Sequence, residues 1–172
     1  IDLEVQPGEF FGLLGPNGAG KSTTINILSN LCTKTSGSIN VFGYNHDKHF
    51  RSCRERVGLV PQEFNFDQFC QLKRMLVFQG GYFGVPRRQC EKRADELLEA
   101  FGLLEKRDVQ LRRLSGGMKR RAIIARAMIH DPPLLILDEP TAGVDVGLRK
   151  QLWALLQQLN RKGTTILLTT HY

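Results

Sequence analysis

The 172-residue chain predicts an α/β fold built on a mostly parallel sheet, with an antiparallel β part at its N-terminus and a block of helices inserted between two strands. Three observations carry this. A glycine-rich loop, Gly15 to Gly20, lies between the apolar run Phe10 to Leu14 and a helical pattern. A second apolar run, Leu134 to Leu137, has buried-strand character and ends in two carboxylates, Asp138 and Glu139. Between these, residues 64–113 are helical in pattern and carry no strand signal.

The opening residues Ile1 to Val5 alternate as a strand, and Gln6-Pro7-Gly8-Glu9 is a turn signal, so a connected strand pair is expected to lead into the glycine loop. The loop with its following residues, Gly15-Pro16-Asn17-Gly18-Ala19-Gly20-Lys21-Ser22, fits G-x-x-x-x-G-K-[ST] in the strand, loop, helix setting the motif requires. It reads as a P-loop, and the fold as a P-loop NTPase core. Glycines let backbone N–H groups turn inward towards phosphate, and the helix N-terminus adds its dipole. Lys21 is suited to meet phosphate oxygens as a point charge, and the Ser22 hydroxyl to coordinate Mg²⁺.

Ser38 to Phe42 alternates as a short strand that Gly43 ends. His46 and His49, three residues apart on a basic segment, raise a metal site as a question, but no third ligand repeats the spacing. Val57 to Val60 returns to strand and runs into Pro61 and Gln62. In the helical block, Cys90, Ala94, Leu97, Leu98 and Phe101 form an apolar stripe with Gly102 as its cap, and Gly80 to Pro86 reads as the internal loop. Phe64, Phe66 and Phe69, with Tyr82 and Phe83, form an aromatic-rich stretch that is either core or a docking surface for a partner.

Ser115 in Leu114-Ser115-Gly116-Gly117-Met118 is a helix N-cap candidate, and taken alone is no more than that. Asp131-Pro132-Pro133 stops its helix. Adjacent acids at the end of an apolar strand need a cation, and because successive side chains alternate faces, Asp138 and Glu139 are expected to divide the work between a metal and an attacking water. A leucine-striped helix follows Ala142 to Asp145, and Gly163 caps it. The last strand, Thr164 to Thr170, delivers His171 to the sheet edge, where a lone histidine is commonly structural.

Composition is ordinary for a globular protein, and the net charge of +7 is dispersed over the chain. Nucleic acid, nucleotide and an anionic membrane surface all suit such a charge. The cysteines show no C-x-x-C spacing, so reduced thiols fit better than a zinc or redox site. No run reaches the roughly 18–20 apolar residues of a membrane span. Both ends fall against strands, and the chain reads as a piece of a longer protein.

In order and in kind, GPNGAGKS, the glutamine of VPQ, LSGGM, LLILDEP, AGVD and TTH resemble the nucleotide-binding subunit of ATP-binding cassette transporters, over essentially the whole chain. LSGGMKRR, DEPTAGVD and ILLTTHY look most like export-type members that pair with type-2 permeases. The resemblance implies ATP and Mg²⁺ as cofactors. Gly15, Pro16, Asn17, Gly18, Ala19, Gly20, Lys21, Ser22 and Thr23 would hold the phosphates and metal. Ser22, Gln62 and Asp138 would serve the metal, and Gln62 the water as well. Glu139 would polarise that water, and His171 would hold the γ-phosphate. Ser115, Gly116 and Gly117 would meet ATP on an opposite subunit, with Asp145 coupling the two sites.

The resemblance further implies an ATP-dependent homodimer, or a dimer with a similar subunit. It implies an integral membrane permease as partner, a peripheral place on the cytoplasmic face of the inner membrane, and no direct nucleic acid contact. It makes 1–172 one ATPase domain, with 1–63 and 114–172 as core and 64–113 as helical subdomain. Met118 stands where the family usually has glutamine, and the family's adenine-stacking aromatic would lie before Ile1. The competing reading is a soluble cassette ATPase acting on ribosomes or chromosomes.

Overall fold

The computed structural model describes residues 2–63, 66–142 and 145–170, and these divide into two compact units. The first comprises residues 1–62, 132–143 and 156–172, and the second 63–131 and 144–155.

The first unit is organised on a four-stranded sheet of β1 (Phe10–Leu14), β4 (Val57–Val60), β5 (Leu134–Leu137) and β6 (Thr165–Thr170), in the order β1-β6-β5-β4. Every pairing is parallel, with Phe10 opposite Ile166, Leu134 opposite Thr165 and Val57 opposite Leu134. Buried strands of a parallel sheet read as apolar runs, and β5 is one throughout, whereas β6 is apolar at Ile166, Leu167 and Leu168 and buries Thr165 and Thr169 on either side of them. Helix α1 (Lys21–Leu28) follows β1, and α2 (Phe50–Glu55) precedes β4. Ile25, Val41, Cys53, Val57, Ile136 and Leu167 form one buried cluster with Phe11, Leu28 and Tyr44 against it. Each such aliphatic side chain contributes roughly 1.5–3 kcal/mol by leaving water.

The antiparallel part is a small hairpin, β2 (Asn40–Val41) with β3 (Tyr44–Asn45). Its two turn residues, Phe42 at φ 47° and Gly43 at φ 81°, both adopt the left-handed backbone that a tight hairpin requires. The expected strand at Ile1 to Val5 is not formed: residues 2–5 carry no ladder, and Ile1 lies outside the described residues. Alternation alone cannot make a strand without a neighbour to take its hydrogen bonds. The turn after it is present, with Glu9 N–H donating to Gln6 O at 3.0 Å and Gly8 at φ 79°.

The second unit is helical. It contains α3 (Leu72–Tyr82), α4 (Arg87–Ala100), single turns at Leu104–Lys106 and Leu111–Arg113, α5 (Gly116–Ala127), and the start of α6 (Val146–Arg161). Two sequence expectations change here. Gly80 and Gly81 belong to α3 and not to the loop, which is confined to Phe83–Pro86. A Cβ on Gly80 would collide with Cys90 Sγ and stand 3.3 Å from Ile129 Cγ1, so Gly80 allows close helix packing and does not interrupt the helix. Residues 114–131 group with the helices and not with the sheet, because α5 packs on α3 and α4 and buries Ala122, Ile123, Ile124, Ala125 and Ala127. Gly102, at φ 63°, ends α4 as expected.

Candidate functional site

The glycine loop leaves the end of β1 and enters α1 in a turn made by two left-handed residues, Gly18 at φ 82° and Gly20 at φ 87°. A Cβ on Gly15 would stand 3.3 Å from Ala19 Cβ, so the loop closes tightly around Lys21. Lys21 is 7% exposed, and its ammonium donates to Gly15 O at 2.7 Å and Pro16 O at 2.9 Å. Thr24 Oγ1 donates to Gly20 O at 3.0 Å and secures the first turn of α1. Ser22 and Thr23 remain exposed on that turn.

Across from the loop, Asp138 N–H donates to Val60 O at 2.9 Å and carries the β4–β5 ladder one residue beyond the strands. The two acids do have different surroundings, although both lie beyond β5 and Glu139 is not in strand conformation. Asp138 is buried and its Oδ1 accepts from Thr169 Oγ1 at 2.6 Å. Glu139 instead turns to the loop, with Oε1 4.0 Å from Lys21 Nζ and Oε2 accepting from the Gln62 side-chain amide at 3.3 Å. It does so at φ 45°, a left-handed conformation unusual for a residue with a side chain, and its N–H donates to Thr169 Oγ1 at 3.0 Å.

These residues enclose a cleft of about 370 Å³ lined by Asn17, Gly18 and Gly20, by Lys21, Ser22 and Thr23, and by Gln62 and Glu139. Asp138, next to Glu139 in the chain, is not part of this lining. A loop with two left-handed glycines, a buried lysine and a helix N-terminus make a candidate cradle for phosphate. The oxygen donors of Ser22, Gln62 and Asp138 are hard ligands of the kind Mg²⁺ takes, so the residues fit both groups. His171 lies outside the described residues, and so do Gly143 and Val144.

In the helical unit, Ser115 Oγ accepts from Met118 N–H at 3.3 Å and caps α5, while Ser115 and Gly116 are exposed. A Cβ on Gly117 would stand 2.7 Å from Leu148 Cδ2, so a larger residue there would require the leucine side chain to move, a contact that spacing in the sequence did not reveal. Asp145 Oδ1 accepts from Leu148 N–H at 2.9 Å and holds the start of α6, a capping role equally unread. A cleft of about 340 Å³ in the same unit is lined by Phe66, Asp67, Cys70, Met75, Phe78, Gln79, Tyr82 and Arg126. Phe78 and Tyr82 are 59% and 69% exposed. Burial lowers the Arg126 pKa from its ordinary value. Phe64 lies outside the described residues.

All four cysteines are free, and burial pushes the Cys53 and Cys90 thiols up from the ordinary thiol pKa. Among the described residues no group of three or more His, Cys, Asp and Glu side chains could hold a metal, and His46 and His49 do not form one. No described helix is long and apolar enough to cross a membrane.

The family model described as "ABC transporter" matches residues 1–142. Across its whole length the chain is 49% identical to Nod factor export ATP-binding protein I of Cupriavidus metallidurans, and it spans 57% of that protein. It is 43% identical, again over its whole length, to linearmycin resistance ATP-binding protein LnrL of Bacillus subtilis, of which it spans 55%. A dimeric ATP-binding cassette in a post-hydrolysis state, bound to ADP and Pi, superposes with a TM-score of 0.85 at 29% identity, covering 99% of this chain and 78% of that one. The cbiO1 subunit of Clostridium perfringens, part of the ABC transporter complex cbiONQ, superposes at 0.87 with 30% identity, covering 100% and 70%.

Proposed function

This chain belongs to the ABC transporter ATP-binding family, and we propose that it binds and hydrolyses ATP to power export through a separate membrane permease. One observation carries the reading: a single cleft lined by the phosphate loop, Lys21, Ser22, Gln62 and Glu139. The chain spans little more than half of the relatives named above, so the activity, partners and location that follow are part of the same proposal.

The residues from Gly15 to Thr23 hold the triphosphate, with loop N–H groups and the α1 N-terminus facing its oxygens. Lys21, now on the carbonyls of Gly15 and Pro16, is within reach of phosphate oxygens at little cost in side-chain reordering. Ser22, Gln62 and Asp138 would hold Mg²⁺, which when bound neutralises charge developing on the phosphates. Glu139 accepts a proton from water as the water oxygen bonds to the γ-phosphorus and the bond to the bridging oxygen of ADP breaks. Gln62, hydrogen-bonded to Glu139, orients that carboxylate. His171 takes the γ-phosphate contact on the strength of resemblance.

Ser115, Gly116 and Gly117, at the exposed N-terminus of α5, meet the phosphate of a second subunit, and Asp145 couples the paired sites. ATP then joins a dimer of this chain or of this chain with a similar one. The two compact units together act as one ATPase domain. The aromatic cleft of the helical unit, with Phe66, Phe78 and Tyr82, seats a helix from an integral membrane partner of type-2 permease character at the cytoplasmic face. The relatives' names favour export over action on ribosomes or chromosomes.

Phosphate release by the full-length protein, measured with Mg²⁺ and after chelation, tests the reaction. Co-purification with the permease after Phe66→Ser and Tyr82→Ser tests the docking. Metal-dependent turnover, and co-purification lost while the isolated subunit still binds ATP, are the expected results. Absence of turnover would defeat the first assignment, and intact co-purification the second.

A further inference from the structure

We infer that Thr169 is a positioning residue for the two acids of the cleft, an inference that rests on the ATPase reading of that site. Thr169 is fully buried in β6. Its hydroxyl lies 2.6 Å from Asp138 Oδ1 and 3.0 Å from Glu139 N. The direction of both bonds follows by elimination. The Glu139 amide can only donate, so the hydroxyl accepts from it, and its single proton goes to Asp138. One buried group therefore ties the Asp138 carboxylate to the backbone that aims Glu139.

That backbone requires support. Glu139 sits at φ 45°, a conformation that costs a non-glycine residue of order 1 kcal/mol or more and persists only where its surroundings fix it. Two hydrogen bonds bracket the residue: its N–H to Thr169, and Ala142 N–H to its carbonyl at 3.1 Å. Asp138 and Thr169 meet because each lies one residue beyond the Leu137–Leu168 pairing of β5 with β6. A valine at 169 would fit the buried strand equally well by shape and β preference. It would leave the Asp138 oxygen and the Glu139 N–H without this partner.

The test compares Thr169→Val with Thr169→Ser in the full-length protein. With the valine, kcat for Mg-ATP should fall about tenfold or more, as expected when a buried carboxylate oxygen and a part-buried N–H lose their shared partner. ATP affinity by calorimetry should stay within about twofold, because Lys21 and the loop are untouched. In nucleotide-free protein, exchange of the Glu139 amide followed by NMR should accelerate. Serine, which restores the hydroxyl but not the methyl, should recover both kcat and amide protection. A merely structural threonine predicts the reverse, with valine tolerated and serine the worse.

Valine kcat within twofold of wild type, or unchanged amide exchange, overturns the positioning role while leaving the ATPase reading intact. Wild-type protein without Mg-ATP turnover takes down both. Should Thr169→Val fail to fold, Thr169→Cys, a weak donor of similar size, carries the same comparison with serine.

Discussion

Lys21 Nζ and Glu139 Oε1 stand 4.0 Å apart, in side chains only 7% and 12% exposed. The lysine comes from the first residue of a helix and the glutamate from the residue after Asp138 at the end of β5. The ammonium donates to the carbonyl oxygens of Gly15 and Pro16 and stands at salt-bridge distance from this carboxylate. On the proposed reading, phosphate would meet the ammonium and Glu139 would be left to face water.

Lys21→Ala should weaken ATP binding before any chemistry. Loss of a charge-assisted contact costs about 1.5–3 kcal/mol, or roughly ten- to a hundredfold in dissociation constant. Calorimetry reads this directly, and normal affinity in the variant would contradict the phosphate-loop assignment.

Glu139→Gln should spare binding and remove turnover by about 10²–10⁴-fold, since an amide cannot take the proton of water. The amide nearly matches the carboxylate in size, so the cleft keeps its shape. Nucleotide then stays intact, and size-exclusion chromatography should show a dimer with ATP and a monomer without it. Turnover at the wild-type rate would remove Glu139 from the reaction.

Ser115→Arg should leave ATP binding by the monomer intact and abolish ATP-dependent association. The change also removes the cap on α5, worth about 1 kcal/mol, so Ser115→Asn, which still caps, is the control for stability. A dimer persisting in the arginine variant would rule out a role for this helix end towards a second subunit.

Gly80→Ala should lower the thermal midpoint through overpacking of about 1–3 kcal/mol, because the new methyl meets Cys90 Sγ. Adding Cys90→Ala should recover part of the loss, a coupling that only contact explains. Gly81→Ala, one residue along in α3 with nothing near its Cβ position, should instead stabilise by about 0.5–1 kcal/mol. Equal effects at the two glycines would argue against the packing described.

Maleimide at mildly alkaline pH should label exposed Cys32 well before Cys53 and Cys90. Those two are shielded, and burial holds their thiols protonated above the ordinary thiol pKa. Because the folded pKa values are raised, their contribution to stability is complete below the unfolded value and is lost as pH rises through the folded one. Denaturant melts should accordingly weaken on the alkaline side. Equal labelling rates in native protein would contradict the burial.

Much of this site was legible in the sequence because its parts are local. The glycine spacing dictates the phosphate loop, since its turns are made within a few residues, and Ser115 caps a helix three residues away for the same reason. The apolar run Leu134–Leu137 forecast a buried strand, and its polar end placed two acids at the strand exit. Strand period anticipated different roles for the two acids, but the left-handed backbone of Glu139, held by Thr169, is what turns it to the loop. Tertiary structure decided what depends on partners distant in the chain. Residues 2–5 alternate yet form no ladder, α5 joins the helices it packs on, and Gly80 and Gly117 lie against Cys90 and Leu148. The hydroxyl that joins Asp138 to Glu139 comes from a threonine 31 residues from Asp138, brought there by strand register. Register arises from the pairing of whole strands and the packing of their faces, so no spacing within either segment contains it.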